Sequence, residues 1–263
     1  MPYICQANNS LRDEAYTPHY AFSNYFGAGL YSSTGQNITV FNMPFYYEPE
    51  QEGKNKFRYR LPVSIGYYNF ELQNIDDIKP IKDAATLTLT LGIEFDHWVN
   101  DNLKLVPFLD IGYTENFSGN DRAVIYASAL TGYNYFEAWG EDHTWIARLQ
   151  RAGYRTDEAS ITDGFSSFEI GVDLKWKTRA YWFNREIFFT NYLAAYWYML
   201  DIAFDPTSIN PTEETHAQEL GMTMGFNKPL DFSLFTLDRI GFGYRYSNKG
   251  PDILHITLDF PLD

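Results

Sequence analysis

The sequence predicts an all-β protein: a closed antiparallel up-and-down transmembrane β-barrel of about twelve strands. Three observations carry that prediction. Apolar residues alternate with small or polar ones through most of the chain. Aromatics make up 18% of it, with 21 Tyr, 21 Phe and 6 Trp. No run approaches the roughly 18 apolar residues of a membrane helix, and mean hydropathy is −0.36, as expected if half of every strand faces water.

Residues 1–18 are polar and without pattern and are taken as a short leader; residues 19–263 are taken as one barrel domain. The first two alternating stretches cover 20–32 and 37–47. The third, 57–70, sets Tyr59, Leu61, Val63 and Ile65 against Arg58, Arg60, Ser64 and Gly66. The fourth, 85–98, is the clearest. Ala85, Leu87, Leu89, Leu91, Ile93 and Phe95 fall on one side, and Thr86, Thr88, Thr90, Gly92, Glu94 and Asp96 on the other. A strand separates such sets onto two faces, whereas a helix scatters them. Asn100-Asp101-Asn102 turns the chain into the fifth stretch, 103–113, with Leu105, Leu109 and Ile111 opposite Lys104, Asp110 and Gly112.

Stretches six (123–136) and seven (144–154) are less regular, and Arg148 and Arg151 cannot share a face in seven. Stretch eight (165–178) alternates strictly. Stretch nine (186–200) is apolar or aromatic almost throughout, and its Tyr, Trp and Phe content favours strand over helix. A Pro- and Asn-rich loop is expected at 205–214. Stretch ten pairs Leu220, Met222, Met224 and Phe226 against Gly221, Thr223, Gly225 and Asn227. Stretches eleven (240–247) and twelve (254–260) complete the count. The connections after strands three, five, seven and nine look long, and those after four, six and eight short. That asymmetry belongs to outer-membrane barrels and puts both termini in the periplasm. Pro44, Pro62 and Pro107 fall inside strands, where a residue without N–H cannot serve the ladder; bulges or rim positions would accommodate them.

The minor face of the strands carries Arg58, Arg60, Glu94, Asp96, Lys104, Asp110, Glu169, Asp173, Lys175, Arg245 and Asp259. In a dry core each unpaired charge would cost several kcal/mol. Mixed in sign, they suit a wet or salt-bridged lumen, with the apolar face against hydrocarbon. Trp98, Tyr113, Trp176 and Phe260 are then expected at the membrane interfaces. The soluble alternative, a lipocalin-like barrel or sandwich, would turn the charges out and pack Leu, Tyr and Phe inside.

The string from Ala84 through Phe95-Asp96-His97-Trp98 into Leu103-Lys104-Leu105-Val106-Pro107-Phe108-Leu109-Asp110-Ile111-Gly112-Tyr113 resembles the solitary outer-membrane autotransporter-like β-barrel family of Gram-negative bacteria. The resemblance implies a twelve-stranded barrel similar to an autotransporter translocator domain. Only the leader precedes strand one, so no passenger is expected. The last aromatic, Phe260, is followed by Pro261-Leu262-Asp263, and Phe260 would serve the barrel assembly machinery. Expected partners are outer-membrane lipid, lipopolysaccharide and that machinery during biogenesis, with a monomeric chain and no nucleic acid. No secretory signal opens the sequence, and an outer-membrane location takes it as removed.

Net charge is −14, from 34 acidic and 20 basic residues, the opposite sign from a nucleic-acid binder. Cys5 is the single cysteine, so no intrachain disulfide is expected. None of the histidines (His19, His97, His143, His216, His255) is followed two residues later by serine, against a Ser-His hydrolase of the outer-membrane type. Asp96-His97 and Asp142-His143 are sequence neighbours, which a strand points to opposite faces. Glu213, Glu214 and His216, or Asp76 and Asp77, lack metal-ligand spacing. No enzyme and no cofactor is expected. Two roles remain: a structural or translocator-like barrel with a charged, plugged lumen, or a small porin-like passive channel.

Overall fold

The computed structural model describes Tyr25 and residues 29–33, 36–70, 84–117, 121–156, 162–176, 178, 180–182, 184–203, 213–231, 236–247 and 252–257. They form an all-β, antiparallel, up-and-down sheet that curls round on itself. The strands are β1 (Gly29–Ser33), β2 (Gln36–Tyr47), β3 (Lys56–Phe70), β4 (Ala84–Trp98), β5 (Leu103–Asn116), β6 (Asp121–Ala138) and β7 (Glu141–Thr156). They continue with β8 (Thr162–Trp176), β9 (Tyr181–Trp182), β10 (Arg185–Ala203), β11 (Glu213–Asp231), β12 (Thr236–Ser247) and β13 (Asp252–Thr257). Apart from the two-residue β9, which edges β10, each strand pairs with its sequence neighbours. β13 also pairs with β1, from Gly29↔His255 to Ser32↔Asp252.

The alternation read from the sequence is the alternation of burial. On β4, Leu91 is 60% exposed while Thr88 and Thr90 are 0% exposed. Leu87, Leu89, Ile93 and Phe95 share the convex face with Leu91; Gly92 and Glu94 share the concave face with the threonines. Leu109 and Ile111 on β5, Ile170 on β8, Leu220 and Met222 on β11 and Phe242 on β12 are likewise exposed. Burial is inverted relative to a water-soluble sheet, whose apolar half lies against its core.

The prolines sit where the ladder is interrupted. Pro44 faces Pro62 across β2 and β3. Pairing of β3 with β4 passes from Arg60↔Gly92 to Val63↔Leu89, omitting Pro62. Pairing of β4 with β5 passes from Glu94↔Phe108 to His97↔Leu105, omitting Pro107. β1 begins at Gly29, opposite Val40, so its ladder does not reach Pro44. Each proline thus turns its missing donor toward a gap in pairing, and no bulge is required.

Several boundaries differ from the expectation. β1 as described is Gly29–Ser33, and Tyr25, inside the first expected stretch, has helical backbone and lies against the concave side. β11 begins at Glu213 and runs to Asp231, so the expected loop is shorter at its C-terminal end and the connection after Lys228 is largely strand. A register shift between Gly225 and Leu230 inverts the end of the tenth stretch: Phe226 is buried and Asn227 exposed. The connections after β5 and β7 are short, because those hairpins stay paired to Asn116↔Asp121 and Arg155↔Thr162. In β7, Arg148 takes the concave face and Arg151 the convex face. The β6–β7 turn uses Trp139 and Gly140, both at positive φ (53° and 74°), as a two-residue hairpin turn demands.

β1 is held by its short ladders to β2 and β13, whereas β6 and β7 pair along their whole lengths. Opening free energy follows local pairing and burial. Amides of β1 and β13 are therefore expected to exchange fastest among the strands, and those of β6 and β7 slowest, by hydrogen exchange with mass spectrometry.

Candidate functional site

The concave face is the only part of the described chain where many ionisable groups converge, and alternation alone delivers them there. Three assemblies result.

The first joins β3, β4 and β5. Arg58 Nη2 lies 2.7 Å from Glu94 Oε1 and 2.6 Å from Asp96 Oδ1. Arg60 Nη1 donates to Glu94 Oε2 at 2.5 Å, and its Nε is 3.3 Å from Asp110 Oδ1. Lys104 Nζ stands 3.5 Å from Asp96 Oδ2. The Arg60 guanidinium also lies 4.0 Å from the centroid of Phe108, and Lys104 Nζ 4.8 Å from that of Tyr133. The register places Gly92 between Arg60 and Asp110. A Cβ on Gly92 would stand 1.8 Å from Asp110 Oδ1 and 2.6 Å from the Leu109 carbonyl. Glycine is what lets the β3 cation reach the β5 carboxylate. Asp110 is fully buried and makes this ion pair without a hydrogen bond.

The second spans the concave side. Arg239 of β12 donates to Asp173 Oδ2 of β8 at 2.9 Å, although β10 and β11 lie between those strands in the sheet. Lys175 Nζ is 3.9 Å from Glu141 and 4.6 Å from the Phe188 centroid. Arg148 is 3.9 Å from Glu169, which accepts from Ser167 Oγ at 2.9 Å.

The third is centred on Glu219 of β11. Its Oε1 accepts from Tyr192 OH at 2.6 Å and faces His255 Nδ1 at 2.9 Å. Its Oε2 accepts from Tyr196 OH at 2.9 Å and Arg245 Nε at 2.8 Å. The Arg245 guanidinium stacks 3.8 Å from the Tyr196 centroid. Gly221 and Gly243 make room for Tyr192, whose ring and hydroxyl approach to 2.4 and 2.1 Å of where their Cβ atoms would be.

Between these assemblies the concave side is apolar. Phe108, Ala123, Ile125, Ala127, Ala129, Ala152, Tyr154 and Phe165 form one buried cluster, against which Tyr25 packs. A second joins Val106, Tyr133 and Ile146 of β5–β7 to Ala194, Tyr196 and Ala217 of β10–β11. Strands that are not sheet neighbours touch here, so this part of the interior is packed. The buried residues described on β6 carry no charge: they are alanine, isoleucine, threonine and tyrosine. That departs from a lumen lined by charge throughout.

Of the residues singled out in the sequence, Arg58, Arg60, Glu94, Asp96, Lys104 and Asp110 come together in one assembly. Glu169, Asp173, Lys175 and Arg245 are distributed over the other two. Asp259 and Phe260 lie outside the described residues. Trp98 stacks on Tyr135 at 5.5 Å, and Trp176 on Trp139 at 6.2 Å, its Nε1 donating to Asn191. Both stacks stand at the end of the sheet that holds the β4–β5 and β6–β7 turns, while the exposed Tyr113 stands toward the other. Glu219, Arg239, Arg148, Tyr192 and Tyr196 were missed. Glu219 was within reach of the pattern, since the alternation through Gly221 and Thr223 extends back to it, directly opposite Arg245.

His143 caps a ladder. Its Nε2 is 2.8 Å from the Ala138 carbonyl, and its Nδ1 accepts from the Lys175 N–H at 3.1 Å, just past the last β7–β8 pair, Thr144↔Asp173. His97 is stacked on Phe95 on the exposed side. No group of three or more His, Cys, Asp or Glu residues suited to a metal occurs among the described residues. Comparison with protein-family models and with curated proteins finds no match.

Removing one partner of a buried pair leaves the other charge uncompensated, at about 3–5 kcal/mol. Glu219→Ala is expected to cost that much in chemical denaturation, by stranding Arg245. Glu219→Leu combined with Arg245→Leu should recover most of it.

Proposed function

We propose that the curled sheet closes as a twelve-stranded β-barrel spanning the outer membrane of a Gram-negative bacterium. Its interior is occluded, and its role is structural or translocator-like. One observation carries the reading: on β3, β4, β5, β8, β11 and β12 the apolar half of the strand faces outward while threonines, carboxylates or arginines face inward. A belt of exposed Leu, Ile, Phe and Met around a whole sheet is far larger than the few hundred Å² a soluble monomer leaves uncovered, and lipid is the environment that suits it. The β13–β1 and β10–β11 pairings support closure, because they leave no long strand with an open edge. Aromatics toward both ends support two interfaces.

The packed interior favours the plugged barrel over a porin-like channel. Opposing walls meet in one apolar cluster, and the charges lie in pairs rather than along a water-filled path. Tyr25 adds to the filling from the N-terminal side.

Leu91→Arg separates the membrane reading from a soluble one. In lipid the change costs about 2–4 kcal/mol near the bilayer midplane; in water an exposed substitution stays within about 0.5 kcal/mol. The expected result is a large loss of folded, heat-modifiable protein after refolding into phosphatidylcholine vesicles, while Thr39→Arg at a strand margin is tolerated. Planar-bilayer recording tests occlusion. The intact chain is expected to show no stable open steps, and regular steps would establish the channel reading instead.

A further inference from the structure

On the convex face, β7 departs from the apolar character of β4 and β5. At the end of the sheet away from the chain termini, β7 turns Arg151 and Arg155 outward, both exposed. Arg148, three positions before Arg151, turns inward and reaches Glu169. Arg122 on β6 is also exposed, but it is ion-paired with Glu115 at 3.0 Å. Among the described residues no carboxylate lies within ion-pair distance of Arg151 or Arg155. In a chain of net charge −14, two outward cations with no counter-charge among the described residues are suited to an external anion.

The surroundings of Arg151 specify which anion. Its cross-strand neighbours are Ser128 on β6 and Ser166 on β8, and its Nη1 donates to Ser166 Oγ at 3.2 Å. The next convex row toward the termini is Leu130, Leu149 and Phe168, paired in register across the same strands and exposed. Tyr126 lies beside the arginines, its ring over Gly153. A guanidinium flanked by two hydroxyl-bearing residues stands directly above an apolar row. That order matches a phosphate headgroup above its acyl chains.

We infer that Arg151 and Arg155, with Ser128 and Ser166, form a seat for the phosphate of an anionic lipid, whose chains run down over Leu149, Leu130 and Phe168. The inference rests on the membrane-spanning reading and names its lipid contact. It also answers the cost of Arg151: an arginine at the hydrocarbon boundary, unlike one at the midplane, costs about 0–1 kcal/mol, and a phosphate offsets that.

The test uses the full chain purified in detergent and titrated with phosphatidylglycerol or phosphatidylcholine, with bound lipid counted by native mass spectrometry. Phosphatidylglycerol preference is expected to fall about fivefold per arginine removed in Arg151→Gln and Arg155→Gln. Arg122→Gln, already neutralised, should leave it unchanged, and inorganic phosphate should not compete. An undiminished preference in the double variant overturns the proposal, as does displacement by inorganic phosphate, which would mark a site for the free anion. Insertion of the unmodified chain into pure phosphatidylcholine vesicles is scored separately. Failure there removes the spanning reading; insertion without phosphatidylglycerol preference removes only the lipid seat.

Discussion

Pairing of charge inside the sheet is the constraint on which the rest of the structure depends. Once the convex half of each strand is apolar, every arginine and carboxylate on the other half is committed to the interior, where an unmatched ion costs several kcal/mol. The chain meets that demand mostly between neighbouring strands, and in one place over distance. Arg58, Arg60, Glu94, Asp96, Lys104 and Asp110 are matched across adjacent strands β3, β4 and β5. Asp173 finds Arg239 only because the sheet curls until β8 and β12 face each other across the interior. Glu219 collects donors from β10, β12 and β13. Curvature of the sheet and neutralisation of its interior are thus one condition.

Small residues and rings complete that condition. Gly92 admits the Arg60–Asp110 contact, and Gly221 and Gly243 admit Tyr192 to Glu219. Aromatic faces take the cations that the carboxylates leave partly uncovered, as Phe108 does for Arg60 and Tyr196 for Arg245. The result is an interior of paired ions set between two apolar clusters, with opposing walls in contact. Such a filling stiffens the sheet, and in the barrel proposed above it would resist the passage of solute.

Strand count, strand order and the choice of face were legible in the sequence, most plainly in residues 85–98 and 103–113, because a period of two admits one assignment per strand once the apolar set is continuous. The first assembly was legible for the same reason, since its members lie on three consecutive, strictly alternating strands. The inversion at Phe226 was not legible: it follows from a break in alternation, and periodicity carries no information across a break. Arg239 sat near the start of β12, where the pattern fades, and Glu219 stood one residue outside the stretch as read.

By itself the sequence determined which residues share a face, through an alternation that is a property of each strand alone. It did not determine which charges would meet. The pairing of Asp173 with Arg239, and the apolar cluster that joins Val106, Tyr133 and Ile146 to Ala194, Tyr196 and Ala217, link strands that are not neighbours in the sheet. Only the curl of the sheet and its stagger bring them together, and those depend on all the strands at once.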